Sequence, residues 1–401
     1  MGGIAVNLRH LPPVHSPLDL GAVASGVRAM LRNGSGAAHA LGGAIRSRWA
    51  PDGFALTDSG TSALALALRV AARTTGAPAA LPAYGCYDLA TAVDAAGVAF
   101  ALYDVDPASL QPDLDSVRRT VAAGAGSVVA VHLFGVPVDL AALREAAGAG
   151  AILVEDAAQG AGIQHLGRPA GAHGDLGILS FGRGKGMTGG GGGALLLNGA
   201  HLGDGFAQVV EGLAAGGRGS PGQVLALLAQ WGLARPWLYA LPASLPWLRL
   251  GDTIYREPHQ AAQISAFSAA VVGRTLRLGH REALTRRRNV SRITAALGGR
   301  AGVTPVGRVP PGWEPGWLRM PVLAGRVVRD RLGDLRRHGV YPGYPLPLSR
   351  LGGFGARDVA GGRALPGAER LASELVTLSV HSRVTSGDIE RVVAALKGGE
   401  G

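Results

Sequence analysis

The sequence predicts an α/β fold in which helices cover both faces of a mostly parallel sheet, followed by a smaller C-terminal α+β domain. The chain has 401 residues, of which 47% are hydrophobic, and this is enough for a large core. From about residue 55 to residue 200, short apolar runs alternate with helical stretches. This alternation is typical of parallel strands joined by crossover helices, so it predicts a three-layer αβα large domain.

The elements follow in chain order from the period of the apolar residues. The predicted helices of the large domain lie at 62–72, 87–96, 115–122 and 140–148. The predicted strands lie at 98–105, 127–134, 151–156, 174–181 and 194–198. Residues 261–297 are predicted to form one long helix that leads into the second domain, whose other elements are strands near 318–323 and 376–380 and a final helix at 387–396. We therefore divide the chain into a large domain at 1–255 and a small domain at 256–401.

Charge and cysteine content limit the functional classes. The net charge is +11 and the pI is about 10.7, which favours anionic partners. The arginines are scattered and do not alternate with aromatic residues, so no nucleic-acid groove is predicted. A single cysteine, Cys86, excludes an internal disulfide framework and fits a reducing compartment. The first residues, MGGIAVNLRHLPPVHSP, do not read as a secretory signal, so we expect a cytoplasmic protein.

Three polar segments stand at positions where an α/β sheet binds ligands, beyond the carboxyl ends of its strands. The strand at 151–156 ends in Glu155 and Asp156, and adjacent strand residues point to opposite faces, so one carboxylate can face a site. Lys185 follows the strand that ends near Ser180. The helix after SGT begins with small residues, and a helix N-terminus suits a phosphate.

Lys185 is unusual because the chain contains only two lysines, the other being Lys397, and uses arginine elsewhere. A lysine amine can lose its proton and act as a nucleophile, whereas a guanidinium in practice cannot. A lysine, a carboxylate and a helix N-terminus are the parts that a pyridoxal phosphate site needs. The alternative is a loop lysine without a catalytic role.

Competing motifs fit less well. The segment lacks the glycine and the hydroxyl residue that a P-loop requires around its GK pair. A GxGxxG pattern is present from Gly184 to Gly189, but five consecutive glycines follow from Gly189, and each costs about 1 kcal/mol in a helix. They fit a turn before the strand at 194–198 better. The 11 histidines are dispersed, there is no HExxH motif, and no metal site is predicted.

Four motifs in order, SGTSAL, VHLFG, VEDAAQG and GDLGILSFGRGKGMTGGGGG, resemble the DegT/DnrJ/EryC1/StrS aminotransferases. These are fold-type-I pyridoxal phosphate enzymes that act mostly on sugars. The resemblance covers about residues 56–200 and returns near the C-terminus, in LPGAERLASELVTLSVHSRVTSGDIERVVAAL.

The resemblance implies roles for individual residues. Lys185 would form a Schiff base with pyridoxal phosphate and later move protons, and Asp156 would pair with the pyridine nitrogen. Gln159 would lie beside the cofactor ring, near its phenolic oxygen. The residues implied to hold the phosphate are Gly60, Thr61 and Ser180.

One position departs from the family pattern. The family often has an aromatic residue that stacks on the cofactor, and the segment PAYGCY places Cys86 there. Tyr84 and Tyr87 are alternatives for that stacking role. We therefore include Cys86 among the expected cofactor-binding residues, while a small buried residue remains its simpler interpretation.

The implied activity is ping-pong transamination in a homodimer. An amino-acid donor, glutamate or glutamine, would load the amine, and a nucleotide-linked keto-sugar or a related keto-cyclitol would receive it. One alternative is a pyridoxal-phosphate-dependent sugar dehydratase, although the dehydratases carry histidine in place of the lysine. The other alternative is a non-catalytic, membrane-associated protein of the same fold.

The largest departure is a tryptophan-rich apolar insert at about residues 205–255. Arg235 and the prolines at 236, 242 and 246 argue against a membrane span. Two interpretations stay open. The insert packs on a dimer partner or covers the site, or residues 222–250 contact a lipid-linked substrate or the inner face of a membrane.

Overall fold

The computed structural model describes residues 9–32, 35–243, 253–298 and 302–397. Within these ranges the helices are α1 (Leu20–Leu31), α2 (Ser35–Trp49), α3 (Gly60–Thr75), α4 (Asp88–Ala96), α5 (Leu114–Ala122), α6 (Leu140–Ala147), α7 (Gly203–Glu211), α8 (Pro221–Leu233), α9 (Pro236–Ala243), α10 (Ala266–Thr275), α11 (Leu278–Leu297), α12 (Arg326–Asp330), α13 (Leu332–Leu335), α14 (Pro366–Glu374) and α15 (Ser386–Lys397). The strands are β1 (Gly53–Thr57), β2 (Ala79–Pro82), β3 (Phe100–Tyr103), β4 (Ser127–Val131), β5 (Ile152–Asp156), β6 (Gln164–His165), β7 (Arg168–Pro169), β8 (Leu176–Ser180), β9 (Gly193–Leu197), β10 (Val303–Pro305), β11 (Trp313–Glu314), β12 (Met320–Ala324), β13 (Val340–Pro342) and β14 (Leu375–Leu378).

The large sheet has seven strands in the order β1-β9-β8-β5-β4-β2-β3. The strands from β8 to β3 in this order are parallel, and β9 runs antiparallel to both of its neighbours. These five strands, from β8 to β3, are buried along their whole length. Their burial on both faces explains why their sequences are continuous apolar runs. The predicted α/β fold with a mostly parallel sheet is confirmed.

Both faces of this sheet are covered. Along β9, Leu195 and Leu197 belong to one buried cluster, which also contains the buried face of α3. Ala194 and Leu196 point the other way, into a second cluster with residues of α2 and α10. Because alternate residues of one strand enter different cores, the sheet forms the middle of three layers.

The C-terminal part is built on a four-stranded antiparallel sheet in the order β10-β12-β14-β13. Residues of α11 and α15 pack with it in one hydrophobic cluster, as an α+β arrangement requires. Residues 9–16, here called the N-terminal strap, contact the same sheet and α15: Tyr341 Oη of β13 donates to the carbonyl of Leu11, and Arg9 pairs with Asp388 of α15 at 2.7 Å. The domain limits 1–255 and 256–401 stay a prediction.

The prediction of one long helix at 261–297 is wrong. Residues 261–264 instead run beside β1, where Gln263 bridges Thr57. Ser265 then caps α10 by accepting the N–H of Ser268. The helix is interrupted between α10 and α11, where the carbonyl of Leu276 accepts a hydrogen bond from Arg48. Contacts from distant parts of the chain therefore divide a continuous helical pattern.

The insert at about 205–255 contains α7, α8 and α9. Ser220 and Gln223 form a capping box that begins α8, with Pro221 in its first turn. Residues 244–252, which include the end of the predicted contact segment 222–250, lie outside the described residues. Among the described helices, none combines the length and the apolar character needed to cross a membrane.

Candidate active site

The sheet brings the predicted site residues together at the carboxyl ends of β4, β5 and β8. A cavity of about 40 Å³ lies there, and its wall contains all seven of them: Gly60, Thr61, Cys86, Asp156, Gln159, Ser180 and Lys185. A second cavity of about 520 Å³ shares part of this wall. In the described part of the chain, no group of three or more His, Cys, Asp or Glu side chains is placed to hold a metal ion.

The N-terminus of α3 forms one side of both cavities. Ser59 caps this helix by accepting the N–H of Ser62 at 3.0 Å. Gly60 lies so close to the end of β8 that a Cβ atom on it would stand 2.6 Å from Cβ of Ser180. The absence of a side chain at Gly60 therefore lets the positive end of the helix reach the cavity, where it suits a phosphate.

Asp156, the last residue of β5, presents a carboxylate to the small cavity. Its Oδ1 accepts the N–H of Ala158 at 2.9 Å, and the residue is buried. Burial raises the pKa of Asp156, while the Ala158 N–H and the charge of Lys185 act in the opposite direction. A cationic ring nitrogen beside this carboxylate would stabilise its charged form.

Glu155 points away from the cavity and has a structural role. It accepts hydrogen bonds from His132 Nε2 at 2.9 Å and from the N–H of Gly171 at 2.7 Å. Burial alone would raise the pKa of Glu155, but the hydrogen bonds from His132 and Gly171 lower it. His132 Nδ1 accepts the N–H of Val138, so its Nε2 carries the proton. His132 is therefore a satisfied buried residue and not a site residue.

Lys185 lies in the turn between β8 and β9 and lines both cavities. The glycines on either side, Gly184 and Gly186, have positive φ angles of 75° and 79°, which favour glycine. A Cβ atom on Gly186 would stand 2.7 Å from that of Ala161. The glycine run continues this close packing, since a Cβ atom on Gly193 would stand 2.5 Å from the carbonyl oxygen of Ser59.

Gln159 links the cavity wall to the C-terminal part. Its Oε1 accepts the N–H of Phe134 at 3.1 Å, and its Nε2 donates to Tyr344 Oη at 3.0 Å. Phe134 adopts a positive φ of 54° in the turn after β4, and its ring stacks on Tyr344. These contacts fix the amide group of Gln159 in the wall of the small cavity.

Cys86 lines both cavities, at the place where the resemblance implies a stacking aromatic residue. Burial, with the nearby charge of Asp88, raises the pKa of its thiol to about 12, and Sγ donates to Asp88 Oδ2 at 3.3 Å. Tyr84 and Tyr87 are held elsewhere, since their hydroxyls accept N–H groups of the segment 344–346. Of these three residues, Cys86 is the one that lines the two cavities.

Sequence reasoning missed several polar residues of the larger cavity: Asp88, Arg183, Arg256, Glu257 and His259. Asp88 could have been found, because it begins a predicted helix directly after Cys86. Arg256 and His259 follow the insert and carry no motif that marks them. His259 Nε2 lies 2.7 Å from Asp58 Oδ2, just before the N-terminus of α3.

Comparison with known proteins identifies related sequences. The model of the DegT/DnrJ/EryC1/StrS aminotransferase family matches residues 52–218 and 251–397. L-glutamine:2-deoxy-scyllo-inosose aminotransferase of Streptoalloteichus tenebrarius is 36% identical over 164 residues, which are 41% of this chain and 38% of that protein. dTDP-3-amino-3,4,6-trideoxy-alpha-D-glucose transaminase of Streptomyces venezuelae is 27% identical over 350 residues, covering 85% and 81%. The similarity to the first of these relatives thus spans less than two-fifths of its length.

Solved structures show the same fold. The sugar aminotransferase CalS13 from Micromonospora echinospora superposes with a TM-score of 0.75 at 23% identity, over 97% of this chain and all of that one. The aminotransferase TlmJ from Streptoalloteichus hindustanus gives a TM-score of 0.75 at 24% identity, over 97% and 98%. The predicted fold-type-I architecture is confirmed.

Proposed function

Because the chain belongs to the DegT/DnrJ/EryC1/StrS aminotransferase family, we propose that it is a pyridoxal-phosphate-dependent aminotransferase that transfers an amino group to a keto-sugar or keto-cyclitol. The observation that best supports this proposal is the small cavity. It brings Lys185, the buried carboxylate of Asp156 and the N-terminus of α3 to one place, although they are far apart in the sequence.

The residues of the cavity fit pyridoxal phosphate. Gly60, Thr61 and Ser180 would hold the phosphate, because the close approach of Gly60 to Ser180 leaves the helix N-terminus beside β8. When bound, the cofactor supplies an electrophilic carbon for amines and a ring that takes up electrons. Asp156 would hold a proton on the ring nitrogen, and Lys185 would provide the amine.

Three residues of the cavity wall then have separate tasks. Lys185 Nζ, when neutral, would accept the proton that leaves the α-carbon of the donor amino acid and would later return one to the product. Asp156 would stabilise positive charge at the ring nitrogen of the bound cofactor, because its carboxylate is buried in the wall of the small cavity. Gln159, held by Phe134 and Tyr344, would fix the position of the ring edge.

The larger cavity supports a polyhydroxylated acceptor. Its volume of about 520 Å³ and its mixture of Arg183, Arg256, Glu257 and His259 suit hydroxyl and phosphate groups. The relatives include enzymes named for a cyclitol, for which the donor is glutamine, and enzymes named for dTDP-linked sugars. We propose glutamate or glutamine as the donor and a nucleotide-linked keto-sugar or a keto-cyclitol as the acceptor.

We also propose that the enzyme is a homodimer, as the resemblance to the family implies, and that it is cytoplasmic, since its single cysteine fits a reducing compartment. The presence of Lys185 in the cavity favours transamination over the dehydratase alternative, in which histidine stands at that position. The same lysine, together with Asp156, favours catalysis over a non-catalytic protein of this fold.

The experiment compares two lysine variants by absorbance spectroscopy. Purified wild-type protein with pyridoxal phosphate should show the visible band of the lysine-bound cofactor, and glutamate or glutamine should convert it to the amine form. Lys185→Arg should lose this band and the conversion. Lys397→Arg, at the end of α15, is the matched control and should behave as wild type. A band that survives Lys185→Arg, or that ignores every amino donor, would contradict the proposal.

A further inference from the structure

The family model leaves two stretches before residue 397 unmatched, residues 1–51 and residues 219–250. Both stretches have an unusual charge pattern. The chain contains 28 acidic residues, yet Asp19 is the single acidic residue in these stretches. The basic residues there are all arginine: Arg9, Arg28, Arg32, Arg46, Arg48, Arg235 and Arg249. The helices α1, α2, α8 and α9, which these stretches form, contain no acidic residue at all.

Two of these helices pack together. Leu227 of α8 is fully buried in a cluster with Ala22 and Val23 of α1 and with Phe267 of α10. Through α1 and α8 the two unmatched stretches therefore form a joint surface layer, although about 200 residues separate them in the sequence.

The outer side of this layer is apolar. Leu225 of α8 and Trp237 of α9 are 67% and 61% exposed, and Leu31 of α1 is 71% exposed. Large apolar side chains exposed on neighbouring helices are typical of a surface that a partner covers. We call the exposed side chains of α1, α8 and α9, together with Arg28, Arg32 and Arg235, the acid-free face.

Arginine accompanies these apolar residues. Arg28 and Arg32 lie exposed on α1 and at its C-terminal end. The Arg235 guanidinium, between α8 and α9, lies 3.9 Å from the centre of the Trp231 ring. Tryptophan and leucine beside arginine, without carboxylates, are the composition of segments that lie in a membrane interface.

We propose that the acid-free face binds the surface of a bilayer that contains anionic lipids. Leu225 and Trp237 enter the headgroup region, and the arginines attract the lipid phosphates. The inference concerns the location of the enzyme and is independent of the proposed reaction.

The charge pattern favours a bilayer over the other partners. A two-fold interface between copies of this chain would bring two copies of the acid-free face together, so its arginines would find no carboxylate on the facing copy to pair with. A nucleic acid would use the arginines but would leave Leu225 and Trp237 uncovered. A bilayer that contains anionic lipids would cover the apolar side chains and would also pair with the arginines.

The test is sedimentation of the full-length protein with lipid vesicles. Wild type should bind vesicles of phosphatidylcholine with phosphatidylglycerol, should release at high salt, and should not bind phosphatidylcholine alone. Leu225→Asp combined with Trp237→Asp should weaken binding at least about tenfold, and Arg28→Gln with Arg32→Gln about fivefold for each arginine. Leu166→Asp, which changes an apolar side chain that is 84% exposed beside β6, is the matched control and should bind as wild type.

Circular dichroism and thermal unfolding of each variant confirm that it folds. Equal sedimentation of wild type with both kinds of vesicle, or with neither, would overturn the proposal. If wild type ignores vesicles and Leu225→Asp with Trp237→Asp converts a dimer into a monomer by light scattering, the face is an interface between copies. Loss of amine transfer in Lys185→Arg would leave vesicle binding unchanged, so this proposal and the proposed function fail separately.

Discussion

At the scale of single residues, the two carboxylates that end β5 point to opposite faces of the sheet, because side chains alternate along a strand. Asp156 faces the cavity and its pKa is raised by burial, whereas Glu155 is surrounded by donors and its pKa is lowered. Sequence alone predicted that one of the two faces a site, and the resemblance to the family named Asp156. The structure adds that Glu155 fixes His132, a residue that had no clear role in the sequence.

The site was largely predictable at this scale because its residues stand in motifs at strand ends. All seven predicted residues line one cavity. Arg256 and His259 were missed for a physical reason: they reach the larger cavity from a segment whose placement depends on tertiary contacts, such as the bond from Thr91 to the carbonyl of Arg256.

Gly60→Ala tests whether the close approach of α3 to β8 matters for the cofactor. The new Cβ would stand 2.6 Å from Cβ of Ser180, so the helix N-terminus must move away from the phosphate position. A shift of this kind should weaken pyridoxal phosphate binding about a hundredfold. Fluorescence titration with the cofactor measures it.

Gly273→Ala in α10 is the control for this prediction. Among the described residues, no atom beyond the two chain neighbours and the backbone of α10 itself lies within 4 Å of a Cβ at Gly273, so the change should leave cofactor binding unaltered and stabilise the helix by about 1 kcal/mol. Wild-type cofactor affinity in Gly60→Ala would show that the helix approach is not required.

At the scale of elements, local patterns located most helices and strands but not their interruptions. The segment 261–297 has a helical pattern, yet Arg48 bonds the carbonyl of Leu276 and residues 261–264 lie along β1. Both contacts come from residues distant in the chain. A periodicity read over neighbouring residues does not contain this information.

Asp104→Ala tests how the end of β3 holds a helix of the C-terminal part. The buried carboxylate of Asp104 accepts the N–H groups of Gly367 and Ala368, each at 2.8 Å, in the first turn of α14. Its loss leaves buried donors unpaired, so the free energy of unfolding should fall by about 2 kcal/mol. Urea denaturation measures this change.

Asp115→Ala is the matched control, because its side chain is 76% exposed and pairs only with Arg118 among the described residues. This change should cost less than about 0.5 kcal/mol. Equal stability of the Asp104 and Asp115 variants would contradict the anchoring role of Asp104.

At the scale of the whole molecule, the N-terminal strap joins the first residues of the chain to its last helix. The side chain of Asp388, at the start of α15, accepts hydrogen bonds from Arg9 and Arg391. His381 donates from Nε2 to the carbonyl of Pro12. The strap therefore holds an N-terminal segment of the chain against its C-terminal part. No periodicity in residues 9–16 predicted this contact.

Three histidines at this contact predict a dependence of stability on pH. Burial and nearby positive charges, from Arg286 and Arg383 among others, lower the pKa of His15 and His381 to about 4, and burial lowers that of His10 to about 4. The unfolded chain binds these protons near pH 6.5, so it gains protons first as the pH falls. The free energy of unfolding should therefore decrease from about pH 6.5 to about pH 4.

Urea midpoints at several pH values measure this decrease. His15→Leu removes one titrating group and should show a shallower decrease than wild type. The exposed carboxylates titrate equally in both proteins, so the difference between the two curves reports His15. Identical slopes would show that His15 is not held neutral by the fold.

The glycine run from Gly189 to Gly193 has a consequence for how this gene can change. Atoms of Val272, Ile264 and Ser59 occupy the space where side chains on Gly189, Gly192 and Gly193 would be. Each mutation away from glycine at these positions should therefore lower fitness, even to alanine. In a library of all single variants, these three glycines should be among the most mutation-intolerant positions of the chain, although they stand in a low-complexity stretch.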